Sequence, residues 1–226
     1  MSEIRFSSVR HRFGDRVILD DIELTLTEQR IGIVGANGSG KSTLARMING
    51  LVEPSSGTVT VDGLHTVKDG KQVRRRVGFV FTDPDNQIVM PTVAEDIAFS
   101  LRRSGLAKEA IAERVANVLR RFDLAGYADH PTHLLSGGQK QLLALAAVLI
   151  REPSVLVADE PTTLLDLRNS RMVAALLAGL DEQLILVTHH LQLLADFDRV
   201  LVIDNGRILA DDLPAAAICR YQELLR

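Results

Sequence analysis

The sequence has 226 residues, 46% of them hydrophobic, and a formal net charge of −3. Such a chain can fill one large α/β domain, or a core plus a lobe, and its near-balanced charge gives no bulk electrostatic reason to bind nucleic acid. A single cysteine, Cys219, excludes internal disulfides, suits a reducing compartment and is expected to pack as a small hydrophobe.

In chain order, Met1 to Phe6 lacks the apolar run of a signal peptide. Ile4 to Val9, Ile22 to Thr27 and Thr58 to Val61 alternate apolar and polar residues, as half-buried antiparallel strands do. Arg30 to Val34 reads as a buried strand, and Val77 to Phe81 is a more continuous apolar run, expected to be a central strand. Between them Ser42 to Asn49 predicts a helix closed by Gly50, and Arg74-Arg75-Arg76 reads as a solvated turn.

From Pro91 to Pro153 the pattern turns helical, with stretches at Val93 to Leu101, Lys108 to Phe122 and Gly138 to Ile150. Strand and helix then alternate: Ser154 to Ala158 strand, Ser170 to Leu180 helix, Leu184 to Thr188 strand. A hairpin follows around Asp204-Asn205-Gly206, and a last helix opens at Pro214. The longest apolar run, Leu142 to Ile150, lies between Lys140 and Arg151 and falls short of the roughly 20 residues that span a bilayer. The chain is therefore expected to be soluble, or held at a membrane through a partner.

The chemistry is concentrated in Gly35-Ala36-Asn37-Gly38-Ser39-Gly40-Lys41-Ser42-Thr43, which fits the P-loop pattern G-x-x-x-x-G-K-[ST] in its required context of strand, loop and helix. The glycines let backbone N–H groups turn toward a polyphosphate, and the helix start adds its positive dipole end. Lys41 supplies charge for the β and γ phosphates, and the Ser42 hydroxyl is a ligand for Mg²⁺. A nucleoside triphosphate and Mg²⁺ are the expected ligands.

Asp159-Glu160 ends another buried strand. Asp159 there is a second Mg²⁺ partner. On this pair alone, Glu160 reads equally well as a general base for the attacking water or as the start of a loop before Pro161. Leu135-Ser136-Gly137-Gly138-Gln139 places a hydroxyl and two glycines before a helix, which is a second anion site or, more plainly, an N-cap.

Taken together, these motifs resemble the nucleotide-binding subunits of ATP-binding-cassette (ABC) transporters across essentially the whole chain. The P-loop, Gln87, the signature Leu135 to Gln139, the strand Val155 to Asp159 with Glu160, the D-loop Thr163-Leu164-Leu165-Asp166 and His189 stand in the family's order. The resemblance implies a P-loop NTPase (RecA-like) core with an N-terminal antiparallel β subdomain and an inserted helical lobe. One ABC ATPase domain would span 1–226, with the core at about 1–88 and 153–226 and the lobe at about 89–152. It implies that Gln87 touches Mg²⁺ and the attacking water and senses a transmembrane partner, that Glu160 is the base, and that His189, in preference to His190, holds the γ-phosphate and orients Glu160. Ser136, Gly137, Gly138 and Gln139 of one cassette would close over the ATP of another, as a homodimer or with a second kind of cassette. Phe13 falls where an aromatic stacks on adenine; packing as an apolar strand-edge residue is the equal alternative. The chain departs from the family at Leu142, where a cation is usual, and at Leu164, where a glycine is usual.

Asp85-Asn86-Gln87-Ile88, Thr92-Val93 and Asp96-Ile97-Ala98-Phe99 further resemble the energy-coupling-factor importers of vitamins and transition metals in prokaryotes. That likeness implies a peripheral ATPase on the cytoplasmic face of the cell membrane, a transmembrane coupling subunit and a substrate-binding membrane subunit. Biotin is the favoured cargo, with cobalt or nickel next. The alternative is a soluble ABC ATPase acting on DNA or ribosomes, against which stand the lack of a coiled-coil insertion and of a basic stripe.

Overall fold

The N-terminal alternation becomes a long hairpin in the computed structural model, which describes residues 1–225. Strands β1 (Ile4–Phe13) and β2 (Arg16–Leu26) pair antiparallel, with Ile4, Phe6 and Val9 facing the core beside Leu19, Ile22, Leu24 and Leu26. Both strands outrun their alternating segments, because register shifts after Phe6, Val9 and His11 break the period of two while pairing continues to Phe13 and Arg16.

The chain continues through β3 (Arg30–Val34), α1 (Lys41–Ile48), β4 (Ser56–Val61), β5 (Leu64–His65), α2 (Gly70–Arg76) and β6 (Val77–Val80). Next come α3 (Val93–Phe99), α4 (Lys108–Arg121), α5 (Gly137–Leu149), β7 (Val155–Asp159), α6 (Leu167–Ala178) and β8 (Gln183–Val187). The hairpin β9 (Arg199–Asp204) and β10 (Arg207–Asp212) and the helix α7 (Pro214–Leu224) complete it. Two compact units result. One holds Met1–Phe79, Ser154–Glu160 and the chain from Leu180 onward; the other holds Val80–Pro153 and Pro161–Gly179.

The first unit contains an antiparallel sheet in the order β2-β1-β4-β5 and a second sheet in the order β10-β9-β3-β8-β7-β6. In the second, β3 runs parallel to β8 and β9, and β7 parallel to β8. Strands β7 and β8 are buried along their whole length, which is why they read as unbroken apolar runs. Helix α1 packs against β4, β7 and β8, and α7 against β9 and β10.

Arg199 ties the second sheet to the end of β2: its guanidinium donates to the Thr25 carbonyl at 2.8 Å and pairs with Glu28 at 3.0 Å and with Asp211. Burial pushes the Glu28 carboxyl up, but hydrogen bonds from the Thr27 N–H, its own N–H and Arg199 outweigh it and leave the group below its ordinary 4.5. A depressed carboxyl contributes stability above its unfolded pKa and loses it as pH falls through the folded one. Arg199→Met is therefore expected to cost about 1–3 kcal/mol at neutral pH and to flatten the decline in stability below pH 4.5. Urea midpoints taken across that range check both; an unchanged acid limb counts against the pairing.

The second unit is organised on α5, buried over most of its circumference from Gln141 to Leu149, with α3 and α6 against it and α4 against α3. Among the described residues no helix is long and apolar enough to cross a membrane.

Four expectations are corrected. The strand expected to be central, β6, stands last in its sheet's order among the described residues; its apolar run reflects burial of its side chains and not a central place. Arg74 to Arg76 is the last turn of α2, not a turn; this helix buries little besides Val73, so it shows no apolar period, and its cations meet the negative end of the helix dipole. Helix α6 begins before Ser170, because the Asp166 carboxylate accepts the Asn169 N–H at 2.8 Å and caps it there. Cys219 is exposed, since the packed face of α7 is Pro214, Ala217 and Tyr221.

Candidate nucleotide site

In the first unit, β3 delivers the chain into the loop Gly35 to Gly40, and α1 opens at Lys41. Two glycines are required by geometry. A Cβ on Gly35 would run into the Ile203 carbonyl, and Gly40 caps α1 at φ 108°, in the left-handed region closed to most side chains. The loop borders a cavity of about 290 Å³, lined by Asn37, Gly38 and Gly40 to Thr43 together with Arg16, Ile18 and Glu160.

Lys41 is almost fully buried, and its ammonium donates to the carbonyls of Gly35 at 2.8 Å and Ala36 at 2.9 Å. Burial pulls its pKa below the usual lysine range, and the carboxylates of Glu160 and Asp159 offset part of that. The Ser39 hydroxyl is buried without a hydrogen bond among the described residues, while the Ser39 carbonyl accepts the Gly206 N–H at 3.1 Å.

Parallel pairing sets Asp159, the last residue of β7, beside Val187, the last of β8. Their successors meet: the Glu160 N–H donates to the Val187 carbonyl at 2.9 Å, and Glu160 Oε2 lies 2.7 Å from His189 Nδ1. Glu160 holds φ at 53°, a costly conformation for a residue with a Cβ and one that gathers at working sites. Of the two histidines after β8, only His189 makes this contact; the His190 ring packs on it with centroids 4.1 Å apart.

Asp159, 1% exposed, is held on both oxygens: Ser42 Oγ donates to Oδ1 at 2.8 Å and Arg46 Nη2 to Oδ2 at 3.2 Å. Phe13, the last residue of β1, is 80% exposed and does not pack into the core.

The second unit carries the remaining candidates. Ser136 caps α5 through a reciprocal pair: its Oγ accepts the Gln139 N–H at 3.3 Å, and Gln139 Oε1 accepts the Ser136 N–H at 2.9 Å. Gly137 and Gly138 form the first turn, where a Cβ on Gly138 would collide with Asn169. Gln87 follows a 3₁₀ turn; its Oε1 accepts the Phe81 N–H at 3.3 Å and its Nε2 donates to the Ala144 carbonyl at 3.1 Å. Just beyond it the buried Asp96 accepts the N–H groups of Val89 and Met90, and Lys140 pairs with Asp85 at 2.7 Å. Leu142, where a cation is usual, is buried in α5 and serves the core of this unit.

The fold thus gathers Lys41, Ser42, Asp159, Glu160 and His189 in one unit, and places Gln87 and Ser136 to Gln139 in the other. Sequence reasoning missed Arg16 and Arg46. The signal for Arg46 was its spacing of four from Ser42, which sets both on one face of α1; that for Arg16 was its place across the hairpin turn from Phe13.

Comparison with known proteins gives the family. The family model described as ABC transporter matches residues 19–163. The biotin transport ATP-binding protein BioM of Rhizobium etli is 49% identical over 98% of this chain and 98% of its own length. The cobalt import ATP-binding protein CbiO of Syntrophus aciditrophicus is 42% identical over 95% of this chain and 79% of its own. The solved structure of cbiO1 from Clostridium perfringens, part of the ABC transporter complex cbiONQ, superposes with a TM-score of 0.84 at 32% identity, covering 99% of this chain and 92% of that one. With the cassette fold and its nucleotide motifs both in place, this chain belongs to the ABC transporter family as one of its nucleotide-binding ATPase subunits.

Proposed function

We propose that this ATPase is the energising subunit of an energy-coupling-factor importer that takes up biotin, with cobalt or nickel as the next cargo class. The observation that carries the mechanism is the juxtaposition of the Ser42–Asp159 and Glu160–His189 pairs at the ends of β7 and β8, beside the P-loop. The likeness to a biotin transport ATP-binding protein over nearly the full length of both chains supports the cargo.

Lys41 exchanges its bonds to Gly35 and Ala36 for the β and γ phosphates, and the N–H groups of Gly38 to Thr43 surround the chain of phosphates. A serine hydroxyl and a carboxylate 2.8 Å apart are the hard oxygen donors that Mg²⁺ takes from proteins, a short set completed by phosphate and water. Mg²⁺, when bound there, neutralises phosphate charge. Glu160 removes a proton from the water that attacks the γ-phosphorus, the bond to the ADP oxygen breaks, and His189 keeps Glu160 in place. Gln87 orients that water once released from Phe81 and Ala144.

Ser136 to Gln139 of one cassette close over the ATP of another, in a homodimer or with a second kind of cassette, so that ATP joins the two and hydrolysis separates them. A transmembrane coupling subunit and a substrate-binding membrane subunit hold the pair at the cytoplasmic face and carry the motion across the membrane. To test this, the chain is tagged in its host, membranes are gently solubilised, and co-purifying proteins are identified alongside biotin uptake in a strain lacking the chain. Two multi-spanning partners and lost uptake are expected. Recovery of soluble chains or nucleic acid alone, or undiminished uptake, counts against the proposal.

A further inference from the structure

We infer that Arg16 is a further nucleotide-binding residue, a cation on the β1–β2 hairpin that grips the phosphate chain. The inference rests on the nucleotide reading of the P-loop cavity and adds a contact that none of its motifs contains. Arg16 lines that cavity, and a Cβ placed on Gly38 would lie 3.5 Å from its Nη2, so the guanidinium stands at the rim of the P-loop.

The arrangement follows from strand pairing. Phe13 and Arg16 are directly opposed across the Gly14-Asp15 turn, and directly opposed residues present their side chains on one face of the ribbon, about 4.5–5.5 Å apart at Cβ. The hairpin tip therefore offers an exposed ring and a cation together beside the loop. The ring suits a base. The guanidinium, a planar fork that is always charged, suits phosphate oxygens.

Arg16 is also uncommitted. Its neighbour Arg10 pairs with Asp20, and Arg12 donates to the Asp15 carbonyl. The Arg16 side chain makes no ion pair or hydrogen bond among the described residues. Among the described residues, Glu160 is the only carboxylate lining the cavity, and it already meets His189. A polyphosphate brings several negative charges, and Lys41 is the only other cation on that lining among the described residues. Holding a long, exposed side chain there makes sense if a ligand anion is its partner.

The test is competition of ATP and of adenosine against a fluorescent ATP analogue on the purified chain. Arg16→Ala is expected to weaken ATP about 10-fold, the scale of one charge-assisted contact at a partly exposed site, and to leave adenosine within about twofold. Arg16→Lys should recover most of the loss and Arg16→Gln none. Unchanged ATP affinity in Arg16→Ala, or an equal loss for ATP and adenosine, overturns the inference. Melting without nucleotide, unchanged in the variant, separates binding from folding. Lys41→Ala runs alongside: if it loses ATP and Arg16→Ala does not, only this inference falls. A wild-type chain that binds no ATP takes down the reading of the cavity as well.

Discussion

Replacing Glu160 by Gln lowers ATP turnover by about 10²–10⁴-fold while ATP still binds. Gln has the size of Glu, and the backbone that holds the residue stays as it is, with φ at 53° and the N–H on the Val187 carbonyl. A carboxamide retains a hydrogen-bonding oxygen for His189 but cannot take a proton from water. Binding groups elsewhere on the cavity are untouched, so the loss belongs to the chemical step. Phosphate release reports the turnover, and a fluorescent-nucleotide titration reports the binding. ATP that is held but not cleaved should also keep two chains together, which size-exclusion chromatography with ATP detects. Near-normal turnover would place the base elsewhere.

Lys41→Ala acts one stage earlier, on binding itself, and is expected to weaken ATP by about 10- to 100-fold, the range of a lost charged hydrogen bond. The damage has two sources. The phosphates lose their buried cation, and the carbonyls of Gly35 and Ala36 lose the donor that draws the loop together. The second term operates before any nucleotide arrives, so the variant should also melt at a slightly lower temperature in the absence of ligand. Adding ATP should raise the melting temperature of the wild type and leave that of the variant almost where it was. An ATP titration indistinguishable from wild type would refute the role.

Much of this was legible because the chemistry is written in contiguous runs. The P-loop, the signature and Asp159-Glu160 each need neighbours in sequence to build one piece of backbone, so their spacing survives into the linear record. Parallel strands buried end to end are equally visible, as Val155 to Ala158 and Leu184 to Val187 show. Features created by pairing were harder to see. The bulges that carry β1 on to Phe13 leave no alternation to read, and α2 packs too little of itself to show a helical period. Arg16 acquires meaning only when strand register sets it opposite Phe13 and beside Gly38. Ser136 was open to two readings; the fold commits its hydroxyl to the Gln139 N–H, which fixes the helix start and presents the turn of Gly137 and Gly138.

The Gly206 turn has a bearing on how the protein is born. Its N–H is bonded to the Ser39 carbonyl, and its own carbonyl accepts the Asp20 N–H at 2.9 Å, so the hairpin of β9 and β10 braces both the phosphate loop and the strand that bears Arg16. Ser39 leaves the ribosome long before Gly206, and the brace must wait for the later segment. A nascent chain can display the whole P-loop sequence while its cradle is still unformed, and nucleotide capture becomes a late event of synthesis, set by long-range closure.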